Sequence, residues 1–346
     1  MKRHAKKTVV ALSFFLIVIL FTAACAAGRS TGQPDLSYPF SNPIVYRADD
    51  PWVIYDDRPG YDCYYYVWSG GDGVRLAKMD DFYMLQDVYN IPGKYIQAWT
   101  STYRTPYSSE IWAPELHFLN GKWYIYVAAS SGNQDHRMYV IESKTGDPMD
   151  GFDFIGEIEA APDRWAIDGT VMRHNERFYF IWSGWEGSEN VAQHLYIAEM
   201  ESPTKLSSER VKISSPELPW EIIGNPLINE GPVAVERNGL VHVMYSASGS
   251  WTDDYCVGFL TLAGSNPLDP ASWTKKSEPI LSKTDGMYGP GHPSVTKSRD
   301  GREWIIYHAN LLPNLGWRGR SGWAQLIIWD ENNYPVIHID NGVSNE

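Results

Sequence analysis

The sequence predicts an all-β chain folded as a five-bladed β-propeller, and three observations predict it. A turn-rich segment carrying a polar or charged residue recurs from Asp50 to Trp112, Asp168, Glu230 and His292, at intervals of 62, 56, 62 and 62 residues. A strand packed with aromatics follows each segment. Gly at 29 and Pro at 22 supply the many turns that such a repeat needs. A fixed period means an array of like units, none able to bury its own apolar face. About sixty residues hold four short strands, which is one propeller blade. Leucine-rich and ankyrin repeats are roughly half as long, WD40 blades about 40 to 45 residues and kelch blades about 50.

The five units follow in order. Asp50-Pro51-Trp52-Val53 leads into residues 64–69, Trp112-Ala113-Pro114-Glu115 into 123–128, and Asp168-Gly169-Thr170-Val171 into 178–183. Glu230-Gly231-Pro232-Val233 leads into 241–246, and His292-Pro293-Ser294-Val295 into 304–308. Asn120-Gly121 and Asn238-Gly239 read as hairpin turns. So does the stretch 298–304, a single imperfect match to the Asp-box of sialidases. The Ser- and Pro-rich stretch 202–219 reads as an inter-blade loop. No segment after the leader has sustained helical periodicity, and 147–150 and 266–273 hold at most a helical turn.

The first residues are different material. Lys2, Arg3, Lys6 and Lys7 precede an apolar run over 9–21 and then Thr22-Ala23-Ala24-Cys25, which reads as an export signal over 1–24. The run is shorter than the about 20 apolar residues that span a bilayer. Small residues before Cys resemble a bacterial lipoprotein processing site, so lipidation of Cys25 is expected, with simple cleavage near Ala24 as the alternative. The protein is thus expected to be exported, in the cell envelope if lipidated and otherwise periplasmic or secreted. Residues 25–40 read as a linker and 41–340 as one propeller domain. Cys63 and Cys256 fall in different blades and read as separate buried thiols.

Composition narrows the partner. The net charge of −13 repels nucleic acid and anionic lipid, so no nucleic-acid partner is expected and membrane contact only through Cys25. Trp 15, Tyr 22 and Phe 11 outnumber the 29 Lys and Arg. Sugars fit both features, stacking C–H faces on aromatic rings and giving hydroxyls to carboxylates. Most strand aromatics belong between blades. Trp52, Trp112, Trp165, Trp182, Trp185 and Tyr288, beside the polar positions, are the better sugar-contact candidates.

A propeller gathers the same strand of every blade around its axis, so Asp50, Asp168 and Glu230 are expected to meet there, with the active site on that axis. A lone Asp before Pro or Gly is usually a turn former. Three acids in one phase are harder to explain as turns, and Glu is a poor turn residue.

Ala48-Asp49-Asp50-Pro51-Trp52-Val53, Trp112-Ala113-Pro114-Glu115, Ile167-Asp168-Gly169, Asn229-Glu230-Gly231-Pro232 and Gly291-His292-Pro293, in order at blade spacing, resemble family 43 of the glycoside hydrolases. The stretches 109–126, 251–261 and 288–294 look most like its α-L-arabinofuranosidase branch, including exo-acting enzymes on α-1,5-arabinan. The resemblance implies a five-bladed propeller and inverting hydrolysis of arabinosides or xylosides from plant cell-wall polysaccharide. It makes Asp50 the general base, Glu230 the general acid and Asp168 the residue that orients the acid and tunes its pKa. A separation of roughly 6.5 to 9.5 Å between the Asp50 and Glu230 carboxyls is expected of an inverting site. Asp49 becomes a structural acceptor. The resemblance also implies Arg320 as a pocket donor with Arg318 as its alternative, and His292 near the axis; Trp112 and Trp52 are sugar-contact candidates by their place beside the polar positions. In some relatives that His contributes to a calcium site. No cofactor is expected to be required; Ca2+ near the axis is the alternative, and one His is thin support for it. A β-xylosidase, an endo-arabinanase and a non-catalytic sugar-binding propeller are the competing readings. Loops 98–109 and 185–193 are the ones expected to decide exo against endo action.

Overall fold

The computed structural model describes residues 36–90 and 93–340. The export signal, Cys25 and most of the expected linker lie outside them. A short strand β1 (Val45–Tyr46) precedes the first blade, made of β2 (Trp52–Asp56), β3 (Cys63–Ser69), β4 (Gly73–Met79) and β5 (Tyr95–Thr100). Helix α1 (Leu85–Asn90) joins the last two. The second blade is β6 (Ser109–Leu119), β7 (Lys122–Ser130), β8 (Arg137–Ser143) and β9 (Phe152–Glu157). The third is β10 (Ala166–His174), β11 (Arg177–Trp185) and β12 (Ala192–Ser202), edged by β13 (Lys205–Leu206) and β14 (Val211–Ser214), both paired to β12. The fourth is β15 (Leu227–Arg237), β16 (Leu240–Ala247), β17 (Cys256–Leu262) and β18 (Trp273–Lys275). The fifth is β19 (Tyr288–Lys297), β20 (Glu303–Asn310), β21 (Arg320–Trp329) and β22 (Pro335–His338).

The innermost strands β2, β6, β10, β15 and β19 each pack against the next, and β19 packs against β2. That contact closes the ring. Closure is reinforced because β1 pairs with β21, Val45 opposite Gly322, so the start of the domain completes its last blade. Asn42 clamps the same strand from both sides of its amide, donating to Ala324 O at 2.8 Å and accepting from Ala324 N at 2.9 Å. The Tyr38 hydroxyl accepts from Leu326 N at 2.9 Å, and Phe40 packs on Trp304 at 5.3 Å. Residues 38–40 therefore belong to the propeller rather than to a linker, because their aromatic rings have a blade to cover.

Aromatics fill the seams between blades. Tyr65 meets Trp123 edge-on at 5.3 Å across the first seam, and Tyr126 meets Phe180 at 5.2 Å across the second. Burying such rings contributes about 1.5 to 3 kcal/mol each. Cys63 and Cys256 are free and buried, as expected. Asn120-Gly121 and Asn238-Gly239 both take φ above zero, the type I′ hairpin geometry. The 202–219 stretch departs from expectation: it is no plain loop, because β13 and β14 cover the open edge of β12. Helix α1 is too short for its periodicity to stand out from background.

One backbone feature sets up the site. Asp50 (φ 45), Ala113 (φ 43), Asp168 (φ 55), Gly231 (φ 54) and His292 (φ 54) all occupy the left-handed region, one in each blade. Each is followed by Pro or Gly, and in β6, β10, β15 and β19 the pair forms a bulge that interrupts the register with the next strand. Such a conformation costs a non-Gly residue about 1 to 3 kcal/mol and clusters at functional sites. Gly169 has no alternative at its place, since a Cβ there would sit 2.1 Å from Phe180 Cζ. The phase read from the sequence is corrected by one residue in two blades: the structural equivalents of Asp50 are Ala113 and Gly231, while Trp112 and Glu230 stand just ahead of their bulges.

Candidate active site

Asp50, Asp168 and Glu230 line one cavity of about 960 Å3. Trp112, His292 and Arg320 line it too. The left-handed turn at Asp50 and Asp168 lets the residue before Pro or Gly present its side chain at the axis end of an inner strand. Glu230 reaches the same cavity from the last regular position before its bulge, opposite Ser246.

The surroundings of Asp50 are basic. His292 Nδ1 lies 3.2 Å from Asp50 Oδ1, and the Arg320 guanidinium lies 3.6 Å from it. His308 Nδ1 lies 3.2 Å from the Asp50 backbone N and 3.3 Å from Asp50 Oδ1. Burial alone would raise the Asp50 carboxyl, but His292, His308 and Arg320 together hold it well below the usual carboxylate range. Burial keeps both imidazoles below their ordinary range, His308 down to about 3, so at neutral pH they are neutral and Arg320 is the fixed charge. Asp50 is an anion.

Glu230 and Asp168 sit in the opposite environment. Burial first, and the Asp50 charge after it, push Glu230 up to about 7. Tyr255, itself fully buried, donates its hydroxyl to Glu230 Oε1 at 2.8 Å and pulls the other way. Asp168 Oδ2 accepts the Gly231 backbone N–H at 3.0 Å, which ties it to the residue after Glu230. Burial, then Glu230 and Asp50, push Asp168 well above the usual range. Glu230 and Asp168 thus titrate as a pair that retains a proton near neutrality. The geometry supplies what glycoside cleavage needs: an ionised carboxylate and a protonated carboxyl facing one space.

Arg320 rather than Arg318 is the pocket arginine. Its Nη1 donates to Asp49 Oδ1 at 3.2 Å, and its Nη2 to Ser250 O at 3.1 Å. Asp49 is thereby an acceptor for Arg320. Trp52 does not line the cavity. Its indole donates to Leu116 O at 3.0 Å and packs on His117 at 5.0 Å, because the residue after Pro51 turns into the seam between β2 and β6. Trp182 is buried in the core and Tyr288 is not part of the lining, whereas Trp165 and Trp185 line the cavity as a stacked pair at 4.7 Å. Trp112 stacks on His136 at 3.8 Å. Glu115 is buried beside His117 Nε2 at 3.0 Å, away from the cavity lining.

Calcium is the alternative at His292, and the residues around that ring are these. Calcium takes six to eight oxygen ligands, whereas His292 Nδ1 faces Asp50 and its backbone N–H is held by Ser246 Oγ at 2.7 Å. Among the described residues no group of three or more His, Cys, Asp or Glu is placed to hold a metal.

Sequence reasoning passed over Tyr255, His308, Trp251 and Trp317. Tyr255 and His308 belong to aromatic, strand-like stretches that look like core. Trp251 lies in a loop and Trp317 in a short 3-10 helix (Gly316–Gly319) between β20 and β21, with no repeat phase to mark either.

Comparison with known proteins agrees with this construction. Residues 40–335 match glycosyl hydrolases family 43. The chain belongs to that family. It is 32% identical to an extracellular exo-α-(1→5)-L-arabinofuranosidase of Streptomyces chartreusis, over 86% of this chain and 92% of the relative. It is 35% identical to a protein of the same description from Streptomyces avermitilis, over 94% of this chain and 70% of the relative. Among solved structures, an α-L-arabinofuranosidase from Lactobacillus brevis superposes with a TM-score of 0.78 at 29% identity, covering 86% of this chain and 95% of that one.

Proposed function

We propose that this enzyme removes α-L-arabinofuranosyl residues from arabinan or related arabinose-containing polysaccharide by single-displacement hydrolysis. One observation carries the reading: one cavity brings Asp50, bordered by Arg320 and His292, together with Glu230 and Asp168, in surroundings that favour an anion at the first and a retained proton at the pair. Water beside Asp50 gives it a proton as its oxygen bonds to the anomeric carbon. The glycosidic C–O bond breaks as Glu230 delivers its proton to the departing oxygen. Asp168, tied through Gly231 to the Glu230 backbone, holds the acid in place and disfavours its ionisation. Exchange with solvent returns both groups to their starting states.

The arabinofuranoside reading, and exo action before endo, is supported by the descriptions of the relatives at 32% and 35% identity. Export is supported by the basic and apolar leader of 1–24 and by the extracellular description of the same relatives. Lipid on Cys25 is a proposal on the leader motif alone, tested by loss of palmitate incorporation in Cys25→Ala. The substrate is tested by offering nitrophenyl α-L-arabinofuranoside, nitrophenyl β-D-xyloside, linear arabinan and arabinoxylan side by side. Arabinose released singly from linear arabinan and from the aryl arabinofuranoside is expected. Release of xylose or of oligosaccharides, or binding without any released sugar, would overturn the reading.

A further inference from the structure

Two loops at the rim between the fourth and fifth blades, 248–255 and 311–319, are bound into one wall. Asp253 accepts the Asn314 backbone N–H through both carboxylate oxygens, at 2.9 and 3.1 Å. Trp317 Nε1 donates to Ser250 Oγ at 3.1 Å, and Trp251 meets Trp317 edge-on at 6.1 Å. Both indoles line the catalytic cavity. Trp317 is nevertheless 59% exposed.

A tryptophan that serves only to pack a loop covers its faces. Trp317 has its single polar atom satisfied and its ring edge fixed against Trp251, so what it presents to the cavity is a rigid, uncovered apolar surface. Isolated exposed aromatics are ordinary, but Trp317 is held by its indole N–H on Ser250 and set against Trp251 of the neighbouring blade, with both opening on one cavity. The wall is also placed by chemistry. Tyr255, at the end of the 248–255 loop, donates to Glu230, the acid that protonates the leaving oxygen. Ser250 in the same loop receives the Arg320 guanidinium, which borders Asp50. The departing sugar must lie on the acid's side of the bond, under the loop that carries Trp251.

We propose that Trp251 and Trp317 form the leaving-group subsite, where the sugar next to the cleaved bond stacks its C–H face on the Trp317 indole. The inference rests on the arabinofuranosidase reading and adds the residues that select the acceptor portion of the chain, on loops other than 98–109 and 185–193.

The test compares α-1,5-linked arabinobiose, whose leaving group is a sugar, with α-L-arabinofuranosyl fluoride, whose leaving group is one atom. In Trp317→Ala the ratio of kcat/KM for the disaccharide to kcat/KM for the fluoride falls about tenfold, mainly through KM, the scale of one aromatic stacking contact. Trp317→Phe recovers most of it. A ratio within about twofold of wild type in Trp317→Ala, or one that Trp317→Phe leaves unrecovered, overturns the subsite. Wild-type protein that fails to turn over the fluoride overturns the arabinofuranosidase reading and the subsite with it.

Discussion

Asp50 and Glu230 are carboxyls at the mouth of the same propeller, both largely buried, yet their neighbours drive them to opposite protonation states. Around Asp50 the chain places a guanidinium and an imidazole nitrogen. Around Glu230 burial raises the carboxyl, the Tyr255 phenol opposes that, and the Asp50 charge adds to it. Burial acts in the same direction on both, so partners rather than depth decide the outcome. An acid and a base are thus made from one functional group by what flanks each: the fifth blade sets Arg320 and His292 beside Asp50, while Glu230 is left to burial and to the Asp50 charge.

Removing the base should have the largest effect. Asp50→Asn is expected to lower kcat/KM by about 10²- to 10⁴-fold on every substrate, whatever its leaving group. Asp49→Asn should cost less than about tenfold, since its ion pair with Arg320 is an exposed one; equal losses would erase the distinction between the two. Glu230→Gln should match Asp50→Asn on arabinan, yet be far milder on a dinitrophenyl arabinofuranoside, whose leaving oxygen needs no proton. A loss independent of leaving group would deprive Glu230 of the acid's role.

Smaller effects concern the flanks. For wild type, kcat/KM should fall as pH rises through about 7, where Glu230 loses its proton. On the acid side it should hold until well below the usual carboxylate range, where Asp50 gains one. Arg320→Gln removes the charge beside Asp50 and should move the acid limb to higher pH; an unmoved limb would mean that Arg320 only binds sugar. Tyr255→Phe should have the smallest effect, a severalfold drop, with the alkaline limb moving upward because the lost hydrogen bond favoured ionised Glu230. A downward move would reverse the sign assigned to that contact.

Much of this was legible in the sequence because a propeller repeats, and repetition turns distant positions into neighbours. Asp50, Asp168 and Glu230 could be grouped by phase alone. What phase could not show was a one-residue offset: the left-handed residue that corresponds to Asp50 and Asp168 is Gly231 rather than Glu230, and a repeat that is only approximate does not resolve a single residue. Trp52 illustrates a second limit. Its place beside Asp50-Pro51 suggested a sugar contact, whereas the direction of its side chain depends on β6, which sequence spacing does not reveal. Tyr255 was illegible for a simpler reason, being one more aromatic among many bound for the core. Its role arises from the space above Gly291, where a Cβ would sit 2.0 Å from the Tyr255 ring.

The most direct test is a carboxyl carbon-13 NMR titration of the free enzyme, with Asp50→Asn and Glu230→Gln assigning the signals. The account predicts a Glu230 resonance that moves with a midpoint of about 7 and an Asp50 resonance still in its ionised position at pH 4. A Glu230 carboxyl already ionised at pH 5, or an Asp50 carboxyl titrating alongside it, would contradict the account.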